Sequence, residues 1–254
     1  MRILSVNQIV TMIMVIVAVN LVGCKTMSAT DMMSTGSSLL EATSITDAQM
    51  MQEARAAAVA SDQNNILAPS NSKYQKRVNK LAKNLKSVNG IPLNVKVYMT
   101  KDINAFAMPD GTIRVYSGLM DSMNDDELLF IVGHEIGHVA KGHTKQRIRA
   151  SLLTKVGRDI ITKTASQQVA TLTASQLGDF TEKVINAQFS QANEREADDY
   201  GLETLKQSGK NPEGAVTALE KLAAMGDSNS TFVTQMLSTH PEPKARAERI
   251  RKAI

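Results

Sequence analysis

Asn124-Asp125-Asp126-Glu127-Leu128-Leu129-Phe130-Ile131-Val132-Gly133-His134-Glu135-Ile136-Gly137-His138-Val139 is the stretch on which the fold turns. Its start carries a helix signature. Asn124 is a good N-cap, Asp125 and Asp126 favour the positive end of a helix dipole, and Glu127 stands where a capping box places its acid. The pattern predicts a helix beginning near Asp125 and running to Arg149. Leu129, Val132, Ile136 and Val139 recur every three or four residues, a stripe that packs the helix into a core. His134 and His138, four residues apart, share a neighbouring face, the arrangement of a zinc ligand pair.

The chain has four histidines, three of them between positions 134 and 143. Glu135 lies about 100° round the helix from His134, so it can reach a water at the metal without itself being a ligand, the position of a general base. The competing reading, satisfied core histidines beside a surface carboxylate, leaves this clustering without a reason. His-Glu-x-x-His on a helix is the pattern of zinc peptidases, in which the metal activates water and the glutamate takes its proton.

A catalytic zinc usually has three protein ligands. His143 is one candidate for the third, but it lies five residues beyond His138, with Lys141 where the longer three-histidine pattern has a turn-forming glycine. It reads as an outer or surface residue. The other candidate is in Asn193-Glu194-Arg195-Glu196-Ala197-Asp198-Asp199, within a predicted helix from Glu182 to Gln207. Glu194 and Asp198 share a face there, so the first can bind metal while the second hydrogen-bonds a ligand histidine, and Glu196 points elsewhere. Taken alone, such an acidic run reads as a solvated helix face.

Taken together, His134 to His138, Glu194 to Asp198 and Asn104-Ala105-Phe106-Ala107 resemble the M48 zinc metallopeptidases over roughly residues 70–250. Val115-Tyr116-Ser117-Gly118-Leu119 is similar to a stretch in the periplasmic, lipid-anchored members. The resemblance implies one zinc held by His134, His138 and Glu194, Glu135 as catalytic base and Asp198 as a supporting carboxylate. It also draws in His240, from Ser238-Thr239-His240-Pro241. That residue can bind the oxyanion, occupy the open position on the metal, or stand outside the chemistry as a helix-boundary histidine.

The amino terminus reads as a lipoprotein signal peptide: Arg2 near the start, a largely apolar run from Ile9 to Ala18, then Leu21-Val22-Gly23-Cys24. The alternative, an uncleaved membrane anchor, is opposed by Thr11, Asn20 and the short run. Cys24, the only cysteine, is the expected lipidation site and rules out an intramolecular disulfide. By resemblance to bacterial lipoprotein sorting, Lys25 after it favours the outer membrane. The chain thus divides into a signal peptide (1–23), a Ser-, Thr- and Met-rich tether (24–44) that reaches roughly 25 Å, and a peptidase domain (45–254).

The expected fold is α+β and mainly helical, a zincin-like domain with a small sheet beside the zinc helix. Further helices are predicted over Asp47–Ser61, Lys73–Ser87, Pro212–Met225 and Pro243–Ala253. A strand is predicted over Leu93–Tyr98 and a hairpin over Ala105–Tyr116 around Pro109-Asp110-Gly111. Similar peptidases pair substrate with a strand edge, for which Ile113–Tyr116 is the candidate. Ser151–Asp179 reads as a lid or as a plain helical hairpin.

A net charge of +4 is modest. The basic runs Lys141–Arg149 and Lys244–Lys252 read as solvated faces or contacts to anionic lipid, and nucleic acid is not expected as a partner. The resulting expectation is an outer-membrane zinc endopeptidase facing the periplasm. It would act on unfolded or misassembled envelope proteins, alongside a periplasmic protease or the outer-membrane assembly machinery. The alternatives are a chaperone-like assembly factor with a latent zinc site and, more remotely, a cell-wall hydrolase.

Overall fold

The computed structural model describes residues 47–148, 182, 185, 186, 188–228 and 230–254. The signal peptide, Cys24, the tether and the Ser151–Asp179 segment lie outside them. Among the described residues no helix is long and apolar enough to cross a membrane.

The elements run α1 (Asp47–Asn64), α2 (Lys73–Leu81), β1 (Ser87–Val88), β2 (Ile91–Pro92), β3 (Asn94–Tyr98), β4 (Ala105–Ala107), β5 (Thr112–Tyr116), α3 (Ser117–Ser122), α4 (Asp125–Ala140), α5 (Gln191–Gln207), α6 (Glu213–Asp227), α7 (Thr234–Thr239) and α8 (Pro243–Arg251). The fold is mainly helical with small sheets, as expected.

α4 starts where its capping signature places it. Asn124 Oδ1 accepts from the Asp126 and Glu127 N–H groups, and Glu127 Oε2 accepts from the Asn124 N–H at 2.7 Å. Lys221 on α6 adds a 2.7 Å bond to the same Glu127 oxygen, tying the cap to the next layer. Leu128 through Val132, Ile136 and Val139 are all buried in the main core, each apolar side chain contributing about 1.5–3 kcal/mol.

The helix ends at Ala140, not at Arg149. Gly142 takes φ +70, a left-handed conformation open to glycine, and the chain turns before resuming as a helix over 143–148. α2 likewise stops at Leu81, short of the predicted Ser87, and Ser87 pairs with Pro92 in the β1–β2 ribbon. α5 begins at Gln191 rather than Glu182: residues 188–190 are not helical, and Ser190 caps the helix by accepting from the Asn193 N–H.

The three-stranded sheet has the order β3-β5-β4, with β3 parallel and β4 antiparallel to β5. The predicted hairpin is present. However, Ile113–Tyr116 forms the centre of the sheet and cannot serve as a free edge. The outer side of β3 is covered by residues 66–68, through Ala68 N–H to Val97 O and Met99 N–H to Ile66 O. Among the described residues no strand pairs with the outer side of β4, although its three residues are buried. Its register alternates so that Asn104 and Met108 bond to Tyr116 and Thr112, which turns the backbone groups of Ala105 and Ala107 outward.

α4 packs chiefly against α5, and the approach is close. A Cβ on Gly133 would lie 2.9 Å from Thr204 Cβ, and one on Gly137 would lie 3.0 Å from Ala197 Cα. Behind the sheet, α1 forms a second apolar cluster with Tyr98, Phe106, Met108 and Tyr116.

Candidate active site

The close seam between α4 and α5 brings His134, Glu135 and His138 against Glu194 and Asp198. His240 enters from the end of α7 and Arg246 from α8. All seven are buried, with Arg246 the most accessible at 7%.

His134, His138, Glu194 and His240 form a buried group whose ligand atoms lie within 4.8 Å of one another. His134 Nε2 is 3.0 Å from His138 Nε2 and 3.3 Å from His240 Nδ1. Glu194 Oε1 is 3.3 Å from His138 Nε2 and 3.1 Å from His240 Nδ1, and Glu194 Oε2 is 3.7 Å from His134 Nε2. Four donors about 2.0–2.1 Å from a tetrahedral zinc stand about 3.3–3.4 Å apart, so this set fits such an ion.

Glu135 Oε1 is a second mark of fit. It is buried without a hydrogen-bond partner, 3.6 Å from His240 Nε2. An orphaned carboxylate oxygen is unfavourable in a dry site and is suited to one that receives water.

Each ligand histidine has an outer partner. His134 Nδ1 is 3.0 Å from Asp198 Oδ1, and Asp198 is held by both Nε and Nη2 of Arg246 at 2.9 and 2.5 Å. Arg246 Nη1 reaches Glu194 Oε2 at 2.5 Å without the alignment of a hydrogen bond. His138 Nδ1 is 3.0 Å from His143 Nδ1, whose Nε2 is 3.4 Å from Glu196 Oε2. Phe189 stacks on the His138 ring at 3.7 Å and 19°, and the Arg147 guanidinium lies 3.9 Å over the Phe189 ring.

Burial pushes the Glu194 carboxyl upward, but His240, His134 and a hydrogen bond from His138 outweigh it and hold the group far below its usual range. Asp198 is likewise lowered, against its burial, by the charge of Arg246 and its hydrogen bonds. Burial drives His138 well below the ordinary histidine value, keeping it neutral and able to ligate. For His240 burial acts in the same sense, yet the charges of Glu194 and Glu135 prevail and raise it.

Every residue expected at the site is thus brought there, except Cys24, which lies outside the described residues. His143 is buried in contact with His138 rather than at the surface. Three contributors escaped the sequence reading. Arg246 belongs to a basic run read as solvated, although it shares the buried face of α8 with Ala247 and Ile250. Arg147, in the other such run, is also desolvated, its pKa lowered to about 10 by burial. Phe189 sits outside any element and carried no periodic signal.

Comparison with known proteins agrees with this geometry. A profile described as Peptidase family M48 matches residues 69–254. Metalloprotease LoiP of Escherichia coli K12 is 43% identical over 236 residues, covering 92% of each chain, and metalloprotease YcaL of the same organism is 41% identical with the same coverage. The beta-barrel assembly-enhancing protease of that strain is 34% identical over 164 residues, 61% of this chain and 33% of its own. With its buried His-His-Glu-His group set inside the matched region, the chain belongs to peptidase family M48 and is a metalloprotease.

Proposed function

We propose that this metalloprotease is a zinc endopeptidase, anchored through Cys24 to the periplasmic face of the outer membrane, that cleaves unfolded or misassembled envelope proteins. The observation that carries the peptidase reading is the orphaned Glu135 Oε1 beside four convergent ligand atoms. The anchoring rests on the sequence around Cys24, and the substrate class on likeness to a relative named for β-barrel assembly.

In this reading His134, His138 and Glu194 would hold the ion, which would supply Lewis acidity to the peptide carbonyl and to the attacking water. Glu135 takes a proton from that water and returns it to the leaving amine. Asp198, clamped by Arg246, keeps the His134 ring oriented. The N–H and C=O groups of Ala107 and the C=O of Ala105 on β4 face away from β5, and an extended substrate would pair with them once the cover over these buried residues is displaced; the Ala105 N–H is already taken by Asn104 Oδ1. Backbone pairing of this kind tolerates many substrate sequences.

His240 supports a second reading. Its Nδ1 completes the four-atom set while its Nε2 faces the base, so in this arrangement it occupies the place of substrate and water. The site would then be latent until the loop carrying His240 moves, and the chain could serve as a chaperone-like assembly factor in the meantime.

The test compares zinc content and casein cleavage of the detergent-solubilised full chain with Glu135→Gln and His240→Ala. One zinc per chain is expected, with turnover reduced about 10²–10⁴-fold in Glu135→Gln and raised in His240→Ala. Zinc without cleavage in any variant would leave the assembly-factor reading, and absence of metal would overturn the site.

A further inference from the structure

We propose that His143 is the positioning residue for His138, fixing its tautomer and ring plane, with Glu196 anchoring His143 in turn. The proposal rests on the reading of His138 as a metal ligand.

The argument is one of proton direction. His138 Nε2 faces the ligand group, 3.0 Å from His134 Nε2 and 3.3 Å from Glu194 Oε1, so it must present a lone pair to an ion. A neutral imidazole then carries its hydrogen on Nδ1. At hydrogen-bond distance on that side stands His143 Nδ1, 3.0 Å away. One hydrogen serves two nitrogens, so His143 Nδ1 accepts and its own hydrogen resides on Nε2. That atom faces Glu196 Oε2 at 3.4 Å, an acceptor. The three links share a single polarity, from His138 through His143 to Glu196, and the polarity itself assigns the hydrogens.

Backbone and packing support the same role. The turn at Gly142 ends α4 and brings His143 back beneath His138, where a helix continued to Arg149 would have carried it away. His143 is only 3% exposed and its ring stands at 70° to that of His138. Phe189 stacks on the face of His138, so the stack holds the ring's tilt and the hydrogen bond holds its rotation. His134 has a charged partner for this purpose, Asp198, whereas His138 has a neutral one.

Competition for zinc against a chromophoric chelator tests this on the full chain, with circular dichroism recording the fold of each variant. His143→Asn keeps an acceptor in the place of Nδ1, His143→Gln moves it toward the place of Nε2, and His143→Leu removes it. Zinc binding is expected to weaken about 10–100-fold in the Leu and Gln variants and to stay nearer the parent in Asn. Equal affinity in all three, or an Asn variant as weak as Gln, overturns the proposal. Should the Leu variant fail to fold, the two polar substitutions still decide. A parent chain that binds no zinc in the same titration refutes the metal site itself, which separates that failure from a failure of His143.

Discussion

Two buried arginines in this molecule make the same primary contact and are used differently. Arg114, in the middle of the sheet, holds Asp62 of α1 through Nε and Nη2 at 2.7 and 3.0 Å. Its third arm is satisfied by the carbonyls of Asn94 and Ile113, and Asp62 gains further donors in Lys96 and Tyr98. Arg246 holds Asp198 in the same two-pronged way, but its third arm meets a second carboxylate, Glu194. Near Arg114 no side-chain oxygen is orphaned among the described residues, while beside Arg246 Glu135 Oε1 is, and Glu194 Oε2 has the ion pair to Arg246 but no aligned hydrogen bond. A saturated ion pair joins elements; an unsaturated one marks a place where something else is expected to bind.

Three experiments can break or sharpen that contrast. Arg246→Met leaves two carboxylates buried without their guanidinium, and a stability loss of about 3–5 kcal/mol is expected in urea unfolding without metal. Added zinc should restore part of that loss, because the ion meets the same negative charge; no response to zinc would remove the link between Arg246 and the metal site. Arg114→Met costs less, about 1–3 kcal/mol, because Asp62 retains Lys96 and Tyr98. Its turnover per folded molecule should match the parent, and a selective loss of turnover would deny it a purely structural role.

The smallest effect is one of pH. Burial raises the Asp62 carboxyl, but hydrogen bonds from Arg114, Lys96 and Tyr98 overcome this and bring it to about 2, below its ordinary 3.8. A group lowered on folding stabilises fully above its unfolded value and loses that contribution as pH falls through the folded one. Acid unfolding of Asp62→Asn should therefore show a shallower stability decline than the parent between about pH 4 and 2. Superimposable declines would mean that Asp62 does not contribute.

The same pair of arginines shows what was legible in the sequence. The local signals read well: Asn124 and Glu127 announced the start of α4, and the four-residue spacings announced both His134/His138 and Glu194/Asp198. Long-range pairing did not. The hairpin from Ala105 to Tyr116 was readable from its turn, yet nothing in Ile113–Tyr116 discloses that β3 occupies its other side. Arg246 looked like one charge in a basic run because its carboxylates lie 48 and 52 positions away. Gly142 was visible, but a glycine four residues after a ligand histidine can be helical or left-handed, and tertiary contacts decide.

The glycine seam between α4 and α5 gives the fold a bearing on ionic radius. His134 and His138 ride on one helix and Glu194 on the other, and their separation is set where Gly137 meets Ala197 by backbone contact rather than by side chains that can yield. Calcium, with bonds of about 2.3–2.6 Å, would need the helices to part, whereas ions bound at about 2.0–2.1 Å need no movement. The spacing that suits the shorter bonds is thus held by residues that are not ligands, and an alanine at 137, whose Cβ would meet Tyr200 Cβ at 2.9 Å and Ala197 Cα at 3.0 Å, would push Glu194 away from the two histidines without replacing any ligand.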